Sequence, residues 1–243
     1  MPDSRLIKRL MESALTIGLR SARALAAPAA MLIAGGVALV VSYHRMPAVS
    51  GAFAHIADLK AEYGYAFSFA LNFLLAGILP WVFRMTLPAL RPAKPVSELI
   101  FGTLWWGGFA IIVDGLYRAL GFLFDGHGWP VAGAITAKLA VDLCLFMPLF
   151  AAPVISLVHL WKDAGYDLSK LRAGMSPGWY RRLVLPNLIP NHMVWLPGAT
   201  LVFCMPPDLQ LPLSSLIACF WALMCLQISA RTKGRIAVDP EEA

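Results

Sequence analysis

Residues 183–212 read LVLPNLIPNHMVWLPGATLVFCMPPDLQLP, a stretch that is mostly apolar but carries a proline every few positions. It begins a run of 48 residues, 183–230, that contains no Lys or Arg. At about 1.5 Å per residue, this run is too long for one crossing of a bilayer core of about 30 Å, and it is about right for two. The stretch therefore predicts two membrane helices, divided by the Met-Pro-Pro-Asp turn at 205–208.

The composition of the whole chain is that of a membrane protein. Of its 243 residues, 59% are hydrophobic and 14% are charged, and the mean hydropathy is +0.68. Several uncharged windows have the length of about 20 residues that crosses a bilayer as a helix. We therefore expect an all-α membrane protein, a bundle of about six transmembrane helices.

Apolar windows place these spans along the chain. An amphipathic basic segment, 1–23, precedes a first span that stands apart from the rest, and a polytopic membrane domain extends from 63 to 230 before a tail at 231–243. The spans before the final pair are 24–43, 63–83, 99–124 and 139–161. The final pair shares 183–230, and its first member, the fifth span, is predicted to be broken by prolines because proline removes a backbone donor.

The distribution of Lys and Arg between the spans predicts the orientation. Segments 1–23, 84–98, 162–182 and 231–243 together hold sixteen of the twenty, whereas the opposite loops hold three and Arg118 lies inside a span. Because Lys and Arg collect in cytoplasmic loops, both termini should be cytoplasmic or, in an organelle, face the matrix or its equivalent. The net charge of +6 then reflects orientation and anionic lipids, and we expect no nucleic-acid partner.

The basic segment 1–23 has apolar residues at roughly helical spacing with basic residues between them. This pattern is typical of a helix that lies on the membrane surface. An organelle targeting peptide has a similar pattern, but Asp3 and Glu12 count against that alternative.

Motifs for cofactor or metal chemistry are absent from the sequence. It contains no nucleotide-binding or hydrolase signature, and its five histidines form no pair at a metal-ligand spacing on one helix. The four cysteines lie in predicted spans without a CxxC spacing, which favours apolar packing. We expect no cofactor, no metal and no catalytic residues.

Charged residues inside predicted spans are the main candidates for a functional site. A charge at bilayer depth costs about 2.5–3.5 kcal/mol and tends to face a partner or a water-filled cavity. Counted from the ends of their spans, Asp114 lies about 15 Å deep, Arg118 about 9 Å and Asp142 about 5 Å. These depths predict a contact between Asp142 and Arg118, with Asp114 deeper on the same seam. Either a static ion-pair clip or the mouth of an aqueous path would explain them.

The fifth span adds Asn187, Asn191 and His192 to the candidates. Asn187 and Asn191 are four residues apart and share a helical face, with His192 beside them near the middle of the membrane. Broken backbone is tolerated in lipid only where protein or water satisfies the freed carbonyls, so this span either borders a cavity or is a kinked helix with ordinary polar packing. The different depths of His192 and Asp142 argue against their pairing.

Four passages between about residues 63 and 230 resemble the Mpv-seventeen and peroxisomal-membrane-protein-twenty-two family of small integral membrane proteins. GLYRAL at 115–120 is similar to the family's Gly-Trp-Tyr-basic-x-Leu, and KLAVDLCLFMP at 138–148 is similar to its Asp-Gln followed by an apolar run to proline. LPNLIPNHMVWLPG at 185–198 resembles the start of its last unit, and Ile228-Ser229 resembles its Leu-Ser ending.

This resemblance implies a weakly selective pore, in a mitochondrial inner or peroxisomal membrane or, as in the family's bacterial relatives, in a bacterial membrane. Together with Asp142, it marks the following family-like positions: Gly115, Tyr117, Pro148 and Pro190. The chain departs from the family pattern at Leu116, Leu143 and Ile189, where the family usually has Trp, Gln and Trp.

Three functions follow from these observations. The first is a multi-pass membrane protein that forms a polar cavity or pore for small solutes or ions, lined by Asp114, Arg118, Asp142, Asn187, Asn191 and His192. The second is a non-catalytic accessory or scaffold subunit of a membrane complex, with other copies or other membrane subunits as partners. The third is an intramembrane enzyme that acts on a lipid. Residue usage favours a bacterial inner membrane.

Overall fold

The structure is a computed structural model that describes residues 23, 26, 27 and 29–238, and its account of side chains leaves out 189, 224, 225 and 227–238. The described residues are helical, with no strand among them, which confirms the all-α fold class. Apart from Arg23, the predicted surface helix at 1–23 lies outside the described residues, and so does the end of the predicted tail, 239–243.

Seven helices are named along this described part of the chain. Three of them, α2, α3 and α4, are long and apolar enough to cross a membrane, so the protein is an integral membrane protein by the length and composition of its helices. In chain order the helices are α1 (Ala29–Arg45), α2 (Pro47–Thr86), α3 (Pro95–Phe124), α4 (Val131–Asp163), α5 (Leu168–Gly174), α6 (Leu185–Phe203) and α7 (Pro207–Val238).

Several helices extend well beyond the spans predicted from hydropathy. Helix α2 begins at Pro47 instead of 63, and α4 begins at Val131 instead of 139. These helices have 40 and 33 residues, or about 60 and 50 Å at the rise of an α-helix, so each is longer than a bilayer core. Hydropathy detects only the apolar part of such a helix, which is why the predicted starts were late.

The predicted division of residues 183–230 into two helices is confirmed. Helix α6 ends at Phe203 and α7 begins at Pro207, on either side of the Pro-Pro turn. Helix α6 continues through Pro190 and Pro197, so the prediction that prolines break this helix is wrong. Helix α7 continues to Val238, past the predicted end of the sixth span at 230.

Wide π-helical turns accompany prolines elsewhere in the chain. A proline ring collides with the carbonyl four residues earlier and cannot donate to it, and a π turn opens the helix locally. Such turns occur at Phe73–Ile78, just before Pro80, and at Asp142–Ala151, around Pro148. A third, at Tyr180–Val184, precedes Pro186. The irregularity expected within α6 is therefore located immediately before it.

The chain forms two compact units. The described residues of unit 1 are 23, 26, 27 and Pro130–Thr200, which include α4, α5 and most of α6. Those of unit 2 are 29–129 and 201–238, which include α1, α2, α3 and α7.

In unit 2, α2 packs closely against α3 through small residues and against α7 through hydrogen bonds. A Cβ at Gly77 would lie 2.6 Å from the Cα of Thr103, and one at Gly107 would lie 2.8 Å from the Phe69 ring. The Asn72 amide donates to the Ser215 hydroxyl at 2.8 Å. Interhelical hydrogen bonds and small residues that permit close backbone contact are how helices associate in lipid.

The close contact at Gly77 leads to a prediction about stability. Gly77→Ala should lower the free energy of unfolding by about 1–3 kcal/mol, because the new methyl group would overlap backbone that cannot move aside. Reversible unfolding in mixed micelles, followed by circular dichroism, measures this change.

Gly108→Ala is the matched control, since nothing lies within 4 Å of a Cβ at that position of α3. It should be neutral or stabilise the protein by up to about 1 kcal/mol, through helix propensity. Equal effects of the two substitutions would contradict the close packing of α2 on α3.

Candidate functional site

A buried polar cluster joins α2 to α3 in unit 2. We call it the Lys60 cluster, and it consists of Lys60, Ser68, Asp114 and Arg118, with the ring of Tyr65 beside them. The side chains of Lys60 and Asp114 are 1% and 4% exposed and form an ion pair. A charge so deeply buried is stable only when it is paired and hydrogen-bonded.

The Lys60 ammonium has a partner for each of its three N–H groups. It donates to the Asp114 carboxylate, to Ser68 Oγ at 2.7 Å and to the Gly64 carbonyl at 3.1 Å. The Ser68 hydroxyl is also 2.8 Å from Asp114 Oδ2. The cation is therefore fully satisfied without water.

A break in α2 creates part of this environment. Gly64 has φ of 52° and ψ of −121°, outside the helical region, and this conformation is favourable only for glycine. The break lies between Lys60 and Ser68, and the Gly64 carbonyl faces the Lys60 ammonium instead of continuing the regular helix. Gly64 thus supplies a backbone acceptor where the buried cation requires one.

Arg118 forms the exposed side of the cluster. Its Nε is 3.4 Å from Asp114 Oδ1, and its side chain is 46% exposed. Its guanidinium carbon lies 5.3 Å from the centre of the Tyr65 ring, and the Lys60 nitrogen lies 5.9 Å from the same ring, distances at which a cation is attracted to an aromatic face. Two cations share the Asp114 carboxylate within the Lys60 cluster, and the Asp208 carboxylate at the start of α7 also interacts electrostatically with Lys60.

Sequence reasoning identified Asp114 and Arg118 as neighbours on one helical face but missed Lys60. Hydropathy places Lys60 in the loop between the first two predicted spans, because the apolar window begins at residue 63, whereas α2 begins at Pro47. The signal that could have found it was the need of buried Asp114 for a strong cationic partner. The contact between Arg118 and Asp142 joins residues of different units and stays a prediction.

A second cluster lies in unit 1, between α4 and α6. We call it the His192 cluster, and it consists of His192, Asp142 and the carbonyl groups of Leu143 and Leu188. His192 Nδ1 is 2.7 Å from the Leu188 oxygen in its own helix, and Nε2 is 3.0 Å from the Leu143 oxygen in α4. Asp142 is buried and close enough to His192 for an electrostatic interaction.

Pro148 explains why the Leu143 carbonyl is available to His192. In a π-helical turn, an N–H bonds to the carbonyl five residues earlier, so position 148 would serve the carbonyl of Leu143. Proline has no N–H, and His192 Nε2 takes its place. The Pro148 carbonyl itself accepts from the Tyr180 hydroxyl at 2.8 Å. Side chains thus satisfy backbone groups that this irregular segment leaves open.

The expectation that Asp142 and His192 lie at different depths is wrong. It assumed that α4 begins at 139, which placed Asp142 near the membrane surface. Helix α4 begins at Val131, so Asp142 lies eleven residues along it, about 16 Å from the start at the helical rise. This position brings Asp142 to the level of His192.

The remaining predicted residues lie in varied surroundings. Asn187 is exposed and its amide donates to the Leu183 carbonyl of its own chain segment at 2.9 Å. The Asn191 amide nitrogen is buried and has no hydrogen-bond partner. Pro190 is buried, and buried Tyr117 donates to Ser214 at 3.2 Å. A Cβ at Gly115 would be 3.8 Å from the Tyr65 hydroxyl, an ordinary contact beside the Lys60 cluster.

Within the described residues, no three His, Cys, Asp or Glu side chains come together in a way that could hold a metal ion. No protein-family model, no curated protein and no solved structure matches this chain. The interpretation of both clusters therefore depends on their chemistry.

The Lys60 cluster leads to a prediction about coupling. Lys60→Met should destabilise the protein by about 3–5 kcal/mol, because it removes the buried cation and leaves the Asp114 carboxylate with the Ser68 hydroxyl and the longer contact to Arg118. The double variant Lys60→Met with Asp114→Asn should recover much of this loss. A double-mutant cycle of unfolding free energies in mixed micelles measures the coupling.

The more exposed pair of Arg84 and Glu98, with N and O atoms 3.3 Å apart, provides the control. Arg84→Met should cost about 1 kcal/mol or less, since ion pairs open to solvent contribute little. Additive effects of Lys60→Met and Asp114→Asn would contradict a direct buried pair.

Proposed function

We propose that the protein forms a polar path for small solutes or ions across its membrane. The observation that carries this proposal is the half-exposed Arg118 guanidinium on α3, a helix long and apolar enough to span a bilayer. Arg118 lies six residues before the helix end at Phe124, about 9 Å at the helical rise. Because α3 has 30 residues, or about 45 Å, it is longer than a bilayer core of about 30 Å. Arg118 therefore lies close to the boundary of the core, where its exposed guanidinium can reach water or lipid headgroups.

The charge of the Lys60 cluster supports a path in preference to a closed apolar seam. Asp114 compensates one of the two cations, and the outer one, Arg118, keeps contact with the surroundings. Fixed positive charge at a mouth raises the local concentration of anions. In the path we propose, the exposed Arg118 guanidinium is the positive charge at the mouth, and it favours anionic or neutral solutes over cations.

The same proposal covers the topology and location. We propose six spans with both termini cytoplasmic, because Lys and Arg segregate sixteen to three between the two sides. A bacterial inner membrane is the proposed location, with a mitochondrial inner or peroxisomal membrane as the alternative. The resemblance of four sequence passages to the Mpv-seventeen and peroxisomal-membrane-protein-twenty-two family supports a pore. We propose membrane lipids as the partners that surround the protein.

A scaffold subunit is the second candidate, and one observation favours it. Lys60 has three partners for its three N–H groups, which is what a static clip between α2 and α3 requires. In that case the protein has no flux of its own, and its function depends on another membrane subunit or a second copy. The enzyme hypothesis has less support, because both ring nitrogens of His192 lie against backbone carbonyl oxygens, whereas a general base must lie within hydrogen-bond reach of a substrate proton.

Flux through purified protein in liposomes tests the proposal. Wild-type protein should release small anionic and neutral solutes, and Arg118→Gln should reduce anion flux more than neutral flux, because it removes the exposed charge at the mouth. Asp114→Asn and Asp142→Asn should each change the rate or the selectivity. Release of solutes of graded size and charge is measured against empty liposomes.

Asp163→Asn is the matched control. The Asp163 carboxylate at the end of α4 is 67% exposed, so this substitution should leave flux unchanged. Each variant is first shown to be folded by its circular dichroism spectrum. Folded, correctly inserted wild-type protein without flux would contradict the pore and favour the scaffold subunit, and co-purification with another membrane protein would then identify the partner.

A further inference from the structure

The two ring nitrogens of His192 both face carbonyl oxygens. Nδ1 is 2.7 Å from the oxygen of Leu188, and Nε2 is 3.0 Å from the oxygen of Leu143. A carbonyl oxygen accepts hydrogen bonds and cannot donate them, whereas a neutral imidazole has one N–H and one lone pair. Both contacts are hydrogen bonds only when both nitrogens carry a proton, so the geometry is that of an imidazolium.

The Asp142 carboxylate is the counter-ion for a protonated His192 ring. Asp142 is buried next to Leu143 on α4 and interacts electrostatically with His192. Helix α6, from Leu185 to Phe203, contains no Asp, Glu, Lys or Arg, so no fixed charge of its own helix compensates His192. Asp142 and two carbonyl dipoles thus stabilise the protonated ring.

We propose that His192 and Asp142 form a proton-binding site in unit 1, and that the proton is an ion that the protein takes up as part of its transport cycle. The role of the proton in transport rests on the proposed function, whereas the proton-binding site itself does not. The ligand is a proton from water, and its binding converts neutral imidazole into the imidazolium that bridges Leu188 and Leu143.

Loss of the proton has a defined structural consequence. A neutral ring keeps one N–H, and the other nitrogen then directs a lone pair at a carbonyl oxygen within 3.0 Å, which is repulsive. The bond to Leu188 lies within α6, whereas the bond to Leu143 connects α6 to α4. When Nε2 is the nitrogen that loses the proton, the carbonyl that Pro148 cannot serve is left without a donor, and α6 is uncoupled from the π-helical turn of α4. Proton binding therefore controls the contact between these two helices.

Other charged groups of unit 1 lie near the site along the chain and complete its surroundings. Lys138 is buried one turn before Asp142 on α4, and it makes contacts of its own. His159 lies farther along α4, where its Nδ1 contacts the Ile155 carbonyl at 2.8 Å. In the segment before α6, Arg182 donates to the Pro177 carbonyl at 2.8 Å and Arg181 is its neighbour. Asp142 is the carboxylate that interacts electrostatically with His192.

Nitrogen-15 NMR of selectively labelled histidines, in the full chain in lipid nanodiscs, tests the site directly. His192→Gln assigns the resonance. Over a titration from about pH 5 to pH 9, where histidine changes charge in proteins, His192 should show two protonated nitrogens at the acidic end. Asp142→Asn should lower the protonated fraction at any given pH, and Asp163→Asn, an exposed aspartate on the same helix, should not.

A single protonated nitrogen at the acidic end would overturn the inference, as would an unchanged titration in Asp142→Asn. If Asp142→Asn does not fold, Asp142→Glu serves instead, since it keeps the charge and should restore the wild-type titration. These spectra require no transport, so they decide the proton-binding site even if the liposomes show no flux.

Liposomes with an imposed pH gradient and an internal pH-sensitive dye test the coupling. Wild-type protein should carry protons together with solute, and His192→Gln should lose the dependence on the gradient. Solute flux that ignores the gradient would overturn the coupling while the proposed path remains. A protonated His192 without any flux would confirm the site and contradict the transport function.

Discussion

The ion pair between Lys60 and Asp114 is the interaction on which unit 2 depends. Neither charge could be buried between apolar helices alone, because an unpaired charge loses its hydration without compensation. The pair therefore fixes α2 against α3 at one register, and the conformation of Gly64, the position of Ser68 and the close contact at Gly77 are all consistent with that register. A slip by one turn would separate the charges and leave each without its partner.

Prolines impose a comparable constraint on unit 1. Each proline in a helix leaves a carbonyl without its usual donor, and in a membrane no water is available at depth to replace it. The chain meets this requirement with side chains: His192 serves the Leu143 carbonyl and Tyr180 serves that of Pro148. These polar residues are thus explained first by backbone chemistry, and the charge of His192 follows from it.

The fold class and the division at the Pro-Pro turn could be predicted from sequence, because they depend on hydropathy and on proline, which act locally. Helix starts could not, since the polar first part of α2 has no hydropathy signal. The late helix starts also caused the errors at the two sites. Lys60 lay outside the predicted span and was not recognised as the partner of Asp114, and Asp142 was placed at a different depth from His192. The pairing of Asp114 and Arg118 was predictable because positions four apart on a helix need no tertiary information.

The two clusters differ in how readily they can change state. In the Lys60 cluster every ammonium hydrogen has a fixed acceptor, so a change would require the loss of three hydrogen bonds and the exposure of a buried carboxylate. In the His192 cluster, one proton determines whether both ring nitrogens donate to carbonyl oxygens or one of them repels its carbonyl oxygen. Histidine is also the side chain whose charge changes near neutral pH. A rigid unit 2 and a proton-sensitive unit 1 follow from these local chemistries. In the transport function that we propose, the movable step is therefore the contact between α4 and α6.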